Sequence, residues 1–295
     1  MKKLLLFVSV LLLSVGVKAQ YEKIKEYSTF GLRLDNAIKV NGEKNGDKIA
    51  FFAENRSNYP YVVEISFTNL ENMEPYTTFK RQLVFPGKHK IVEFKKRNAD
   101  QGFNYQYQTK YYIGSNKEAD RLFPYLIPLK EGTEIIPYKR MANSNTYLVN
   151  HFTMQPGDTI YCMRKGRVLA TPNMYHNGDR ISQKRSIEVM HADGTIMVYE
   201  NIDLNIELVR QQEVVYPGQP IGLVNQGGFL RVGLYECLDG GMIKSIPFLY
   251  IRHDRQAVNF NNSFLETSVK HPIEIKTKEL TRREKKRLKS GKLVL

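Results

Sequence analysis

The sequence predicts an all-β protein of two modules, an antiparallel sandwich followed by a second β-sheet domain. Three observations lead there. Apolar and polar residues alternate with period two through most of the chain, turn-forming clusters recur roughly every 8 to 12 residues, and helical periodicity is confined to one stretch near the C-terminus. The 295 residues are 42% hydrophobic and 25% charged, which is enough apolar material to bury a core and excludes disordered or collagen-like polymers.

Residues 1–19 read as a secretory signal: Lys2 and Lys3, an apolar run from Leu4 to Val17, then the small Ala19. Gln20 rather than a lipid-accepting Cys follows. No later stretch approaches the roughly 18 uninterrupted apolar residues of a membrane span. The expectation is a soluble exported chain, secreted or periplasmic.

Residues 20–115 carry the first module. Lys48-Ile49-Ala50-Phe51-Phe52-Ala53 and Tyr61-Val62-Val63-Glu64-Ile65-Ser66-Phe67 alternate as strands, separated by Asn41-Gly42, Asn45-Gly46, Asn55 to Pro60 and Pro86-Gly87. This spacing predicts an Ig-like antiparallel sandwich. Tyr105, Tyr107, Tyr111 and Tyr112 lie where alternation places side chains on a sheet face, so core or cross-strand packing is the preferred role. Residues 116–146, with Pro124, Pro128 and Pro137, read as a linker.

The second module spans 147–255. Its strands include Thr159 to Met163, Arg167 to Ala170, Ser186 to His191 and Thr195 to Tyr199, the last two joined by the hairpin signal Asp193-Gly194. Val214-Val215, Ile221 to Val224, Phe229 to Tyr235 and Ile246 to Ile251 follow. Residues 256–295 form a basic tail, in which Glu279 to Leu288 predicts a short exposed helix anchored only by Leu280 and Leu288, frayed when alone.

The chain has 44 basic and 30 acidic residues. Three basic ones leave with the signal, and residues 270–295 hold ten Lys or Arg against Glu274, Glu279 and Glu284, a net +7. The remaining body is only +4. Charge concentrated in a terminal segment, in an exported chain, argues against nucleic acid and for a tail that is solvated or touches anionic envelope material. Cys162 and Cys237, 75 positions apart, either pair as a disulfide or stay as buried thiols. No CxxC spacing supports a zinc site on them. GxSxG and phosphate-loop signatures are absent, and carboxylates such as Glu188 and Asp193 carry no chemistry without geometry.

Three second-module segments, PGDTIYCMRKGRVLA, SIEVMHADGTIMVYENI and VVYPGQPIGLVNQGGFLRVGLYE, carry a likeness that runs over about Tyr147 to Ile251. They resemble the catalytic domain of lysostaphin-type (LytM-like) zinc peptidases, peptidase family M twenty-three, which cut peptidoglycan cross-bridges. AENRSNYPYVVEISFTNL resembles the N-terminal domain of exported relatives. The resemblance implies a lysostaphin-like sheet domain, but with its zinc site substituted. Active members supply two His and one Asp to the ion. Here Asn150, or His151 after a one-residue insertion, stands at the Asp. The Tyr-x-His pattern becomes Tyr199-Glu200-Asn201, and His-x-His becomes Phe229-Leu230-Arg231. A guanidinium has no lone pair for a metal. His191 matches a non-ligand His of the family.

The resemblance therefore implies a pseudoenzyme without a catalytic set and with the zinc of active relatives lost. Its groove, near Asn150, His151, Tyr199, Asn201 and Arg231, would bind a peptidoglycan peptide or a cell-wall hydrolase as regulator or scaffold. Two alternatives stand beside it. One is an active zinc endopeptidase with displaced ligands, His151 and His191 foremost, although the spacings of His151, His176 and His191 form no local ligand pair. The other is a structural or adhesive envelope component.

Overall fold

Seven strands form the first module: β1 (Ile38–Asn45), β2 (Lys48–Asn55), β3 (Tyr61–Glu71), β4 (Met73–Glu74), β5 (Phe79–Val84), β6 (Gly87–Lys96) and β7 (Asn104–Ile113). This computed structural model describes residues 37–115, 117–135, 149–177, 180–238, 243–252, 254–259 and 268–293, without the side chains of 175–182 and 258–259. The signal read over 1–19 and the side chain of His176 lie outside that set. The strands pair in two antiparallel sheets, β1-β2-β6-β4 and β5-β3-β7. Alternation in β2 sends Ile49, Phe51 and Ala53 inward, where they meet Val63, Ile65 and Phe67 of β3. Phe51 packs edge-on against Phe67 at 4.9 Å and Tyr107 at 5.1 Å; Tyr105, Tyr107 and Tyr111 are half-buried against this core, the packing role expected from the alternation, while Tyr112 is buried on the other face of β7.

The second module holds β8 (Pro124–Tyr125), β9 (Val149–Thr153), β10 (Thr159–Tyr161), β11 (Gly166–Ala170), β12 (Asn173–Asn177), β13 (Arg180–Lys184), β14 (Ser186–Met190), β15 (Ile196–Glu200), β16 (Val214–Val215), β17 (Pro220–Leu223), β18 (Phe229–Cys237), β19 (Ile243–Ile246), β20 (Leu249–Ile251) and β21 (Ala257–Asn259). Its main sheet runs β16-β11-β14-β15-β18-β19. The outer edge of β18 is shared, with β9 along Phe229 to Gly233 and β19 along Leu234 to Cys237. Both modules are all-β and antiparallel in their main sheets.

This sheet is buried on both faces. Val168, Ile187, Val189, Met197, Tyr199, Val232 and Leu234 point into the second module's own core. Leu169, Ile196, Val198, Tyr235 and Ile243 point the other way and join the core of the sandwich. Ile196-Met197-Val198-Tyr199 is accordingly an unbroken apolar run, the pattern of a strand with no wet face. One carboxylate sits in this shared layer. Glu188 is fully buried, accepts a hydrogen bond from the Tyr59 hydroxyl of the sandwich at 2.5 Å and pairs with Lys184. Burial and the Glu188 charge raise the Tyr59 pKa, so the phenol remains a donor.

Two expectations are corrected. The segment read as a linker over 116–146 is core over its described part: Phe123, Tyr125, Leu126, Ile127, Leu129 and Ile135 are buried, and β8 pairs in parallel with β20. Residues 136–146 lie outside the described set. The tail read over 256–295 begins inside the module, since β21 pairs with β20 and Val269 is fully buried. The short exposed helix expected here is present, and it is not left alone. Helices α1 (Ile273–Lys276) and α2 (Arg282–Lys289) dock on the module, with Thr281 and Glu284 closing a capping box. Of the two readings left open for the cysteines, the structure has the second: Cys162 and Cys237 are free thiols. Cys162 lies in the second module's core and Cys237 packs against the sandwich, so they belong to different apolar layers. Burial pushes both thiols up to about 12.

The docking is electrostatic and buried. Arg164, 2% exposed, lies over the Phe123 ring at 3.8 Å, donates to Tyr125 Oη at 3.0 Å, and pairs with Asp193 at 2.8 Å and Glu279 at 2.7 Å. Lys165 pairs with Glu284 at 2.6 Å, which also accepts from Tyr216 Oη at 2.9 Å. Burial opposes the Glu284 carboxylate, but Lys165, Thr281 and Tyr216 hold its pKa down to about 2. His191, buried beside this cluster, bonds Lys165 O through Nδ1 at 3.0 Å; burial first, then Arg164, hold its pKa well below the usual value. Arg164→Met should cost about 3–5 kcal/mol by orphaning two carboxylates. Urea unfolding measures the loss, and limited proteolysis should find the tail newly cleavable. The pH dependence has a definite sign. A neutral buried His that charges on unfolding gives stability that is full above about pH 6.5 and declines as pH falls below it. Glu284 and Asp193, whose folded pKa values are depressed, add a second loss below about pH 4. In His191→Phe the slope between about pH 6.5 and 5 should flatten, read from urea midpoints across that range.

Candidate functional site

Where the sandwich stops covering the second-module sheet, one row of side chains emerges on the same face. Register fixes the row. Arg231 of β18 lies opposite His151 of β9 on one side and Glu200 of β15 on the other, and Glu200 lies opposite Ser186 of β14. Cross-strand partners share a face. Arg231 Nε donates to Glu200 Oε2 at 2.6 Å, and Nη2 bonds the same oxygen. The Arg231 side chain remains 43% exposed, so its other N–H groups reach solvent. His151 stacks on the half-exposed Phe229 ring at 6.4 Å. Burial first, then the Arg231 charge, lower the His151 pKa, with Glu200 opposing.

Period-two alternation sends the neighbouring residues through the sheet. Asn150 donates to Tyr250 Oη at 2.9 Å on the core side. Tyr199 is fully buried, accepts from Met163 N at 2.9 Å, and burial raises its pKa. The five residues expected to line one groove are therefore divided. His151 and Arg231 share the open row, Asn150 and Tyr199 lie on the opposite face, and Asn201 sits at the strand end. His151, not Asn150, is the residue in register with Arg231. Asn201 has φ +76° and donates to Phe229 O at 2.7 Å, tying the end of β15 to the start of β18. A Cβ on Gly227 would stand 2.8 Å from the Asn201 amide nitrogen, and Gly228 has φ +67°, so this glycine pair serves the turn.

The donors at this row do not fit a catalytic zinc, which needs about three protein ligands and an open position. Arg231 has no lone pair, Glu200 Oε2 is committed to the guanidinium, and the Asn201 amide is turned to backbone. Among the described residues no three His, Cys, Asp or Glu side chains converge. The displaced pair His151 and His191 does not meet either. His191 follows Met190, whose partner is Ile196, and so lies about five residues, roughly 16 Å, along the strand from the Ser186–Glu200 rung. A cavity of about 400 Å³ opens elsewhere, at the module boundary between Pro60, Phe85, Leu169, Met190 and His191. It shares no residue with the row.

Sequence reasoning missed Glu200, which appeared only as the middle residue of Tyr199-Glu200-Asn201. Its signal was the opposite charge of Arg231, visible only once β15 and β18 are paired in register. The buried Arg164 cluster was missed for the same reason, since Asp193 and Glu279 are 29 and 115 residues away.

No family model and no curated protein matches the chain. Among solved structures it is similar to Csd3 of Helicobacter pylori in two crystal forms, at 13% and 14% identity. The alignments cover 87% of this chain and 78% and 76% of that one, with a TM-score of 0.29 in each case. It is also similar to a zinc-containing peptidase from Vibrio cholerae, at 10% identity over 72% of this chain and 77% of that one, with a TM-score of 0.26. Superpositions this loose assign no residue a role.

The row's electrostatics are testable by NMR titration of His151. Arg231→Gln should raise its midpoint by removing a nearby cation, whereas Glu200→Gln should lower it further, because the guanidinium then loses its counter-charge.

Proposed function

We propose that this is an exported, lysostaphin-like envelope protein that binds a peptidoglycan peptide without cleaving it and acts as a scaffold or regulator of wall remodelling. The observation that carries the reading is the His151–Arg231–Glu200 row. A guanidinium occupies the position in register with a would-be metal ligand, and a carboxylate from the adjacent strand holds it in place. Such a row binds carboxylates. A fixed guanidinium with N–H groups to spare grips a peptide carboxylate, and the His151–Phe229 stack offers an apolar wall beside it. The motif resemblance over Tyr147 to Ile251 supports the choice of wall peptide, which is rich in free carboxylates.

The test is retention on purified sacculi, with soluble muropeptide release and bound zinc measured in the same samples. The parent should be retained, release no muropeptides and hold no stoichiometric zinc, and Arg231→Gln should lose retention about tenfold. Specific release accompanied by stoichiometric zinc would overturn the reading. Retention unchanged in Arg231→Gln would move any partner, including a cell-wall hydrolase, away from this row.

A further inference from the structure

The C-terminal helix is charge-segregated by the way it docks. Its module-facing side spends the two acidic residues of the segment, Glu279 on Arg164 and Glu284 on Lys165. The outward side then contains only cations. Arg282, Lys285, Lys286 and Lys289 fall at spacings of three, four and seven, one stripe along α2, all exposed and bordering a shallow concavity with Leu280. None of the four has an ion pair among the described residues. A second feature starts from Lys278, four residues ahead of Arg282. The Lys278 ammonium sits over the Phe123 ring at 4.6 Å, and the next residue along, Leu122, is the most exposed large apolar side chain described, at 79%.

We propose that the α2 stripe, together with the exposed Leu122 near its N-terminal approach, docks on an anionic lipid bilayer. Cations alone would suit any polyanion. The pairing of a cationic stripe with an aliphatic side chain held out into water fits an interface that has phosphate headgroups above and acyl chains below. The long Lys stems extend the apolar contact while their ammonium groups stay at headgroup level. The helix is locked to the module by the buried Arg164 and Lys165 pairs, so it presents this face without first having to fold, and the ordering cost that weakens free basic peptides is already met. This surface is separate from the His151–Arg231–Glu200 row and does not depend on what that row binds.

The test is co-sedimentation of the chain from Gln20 to Leu295 with phosphatidylcholine vesicles, with and without phosphatidylglycerol. Binding should appear only with the anionic lipid and fall steeply with salt. The quadruple variant Arg282→Gln, Lys285→Gln, Lys286→Gln, Lys289→Gln should bind on the order of 100-fold more weakly. Leu122→Ser should bind about tenfold more weakly. Both variants alter exposed side chains, so their thermal midpoints should match the parent's. Parental binding by either variant overturns the proposal. So does affinity for soluble inorganic polyphosphate equal to that for the vesicles, which would assign the stripe to a polymer. Sacculus retention by Arg231→Gln is read separately, so either idea can fail alone.

Discussion

Burial of the second-module sheet on both faces is the constraint from which the rest follows. Over the centre of β14 and β15 the sandwich supplies one cover and the module's own core the other, so Val198 and Ile196 belong to one apolar layer while Met197 and Tyr199 belong to the next. The buried Glu188 is tolerated because each module contributes a partner, Tyr59 from one side and Lys184 from the other. The open row at Arg231 is what that same face looks like where the cover ends. Site and module interface are thus successive stretches of one surface.

The second organising element is the Arg164 cluster. A guanidinium this deeply buried is tolerable only with its charge matched and its N–H groups used, and Asp193, Glu279 and Tyr125 do both. The three partners come from a hairpin turn, the C-terminal segment and the strand following the sandwich. One side chain therefore ties together pieces that are remote in sequence, and it sets the orientation of the docked helix.

Much of the architecture was legible in the sequence. Period-two alternation located the sandwich strands, Asp193-Gly194 marked the β14–β15 hairpin of the second module, and Gly194 indeed has φ +82°. The boundaries were less legible. Residues 117–135 contain two of the prolines that marked a linker, Pro124 and Pro128, but also Phe123, Tyr125, Leu126 and Ile127, and whether such a run is linker or core is decided by a distant partner, here β20. The tail misled in a similar way. Its composition reads as solvated, whereas Glu279 and Glu284 find cations more than a hundred residues upstream. In the site, residue types were readable but facing was not. Asn150 and His151 lie on opposite sides of their strand, and which of them shares the face of Arg231 is visible only from the pairing with β18.

The shared apolar layer has a practical consequence for dissecting this molecule. Expressing either half alone would bare Leu169, Ile196, Val198 and Tyr235, or the sandwich residues they touch, as a contiguous greasy patch of the kind that drives aggregation. A truncation that seems to abolish recognition would then report on solubility. Mapping what each region recognises belongs to surface substitutions in the intact polypeptide.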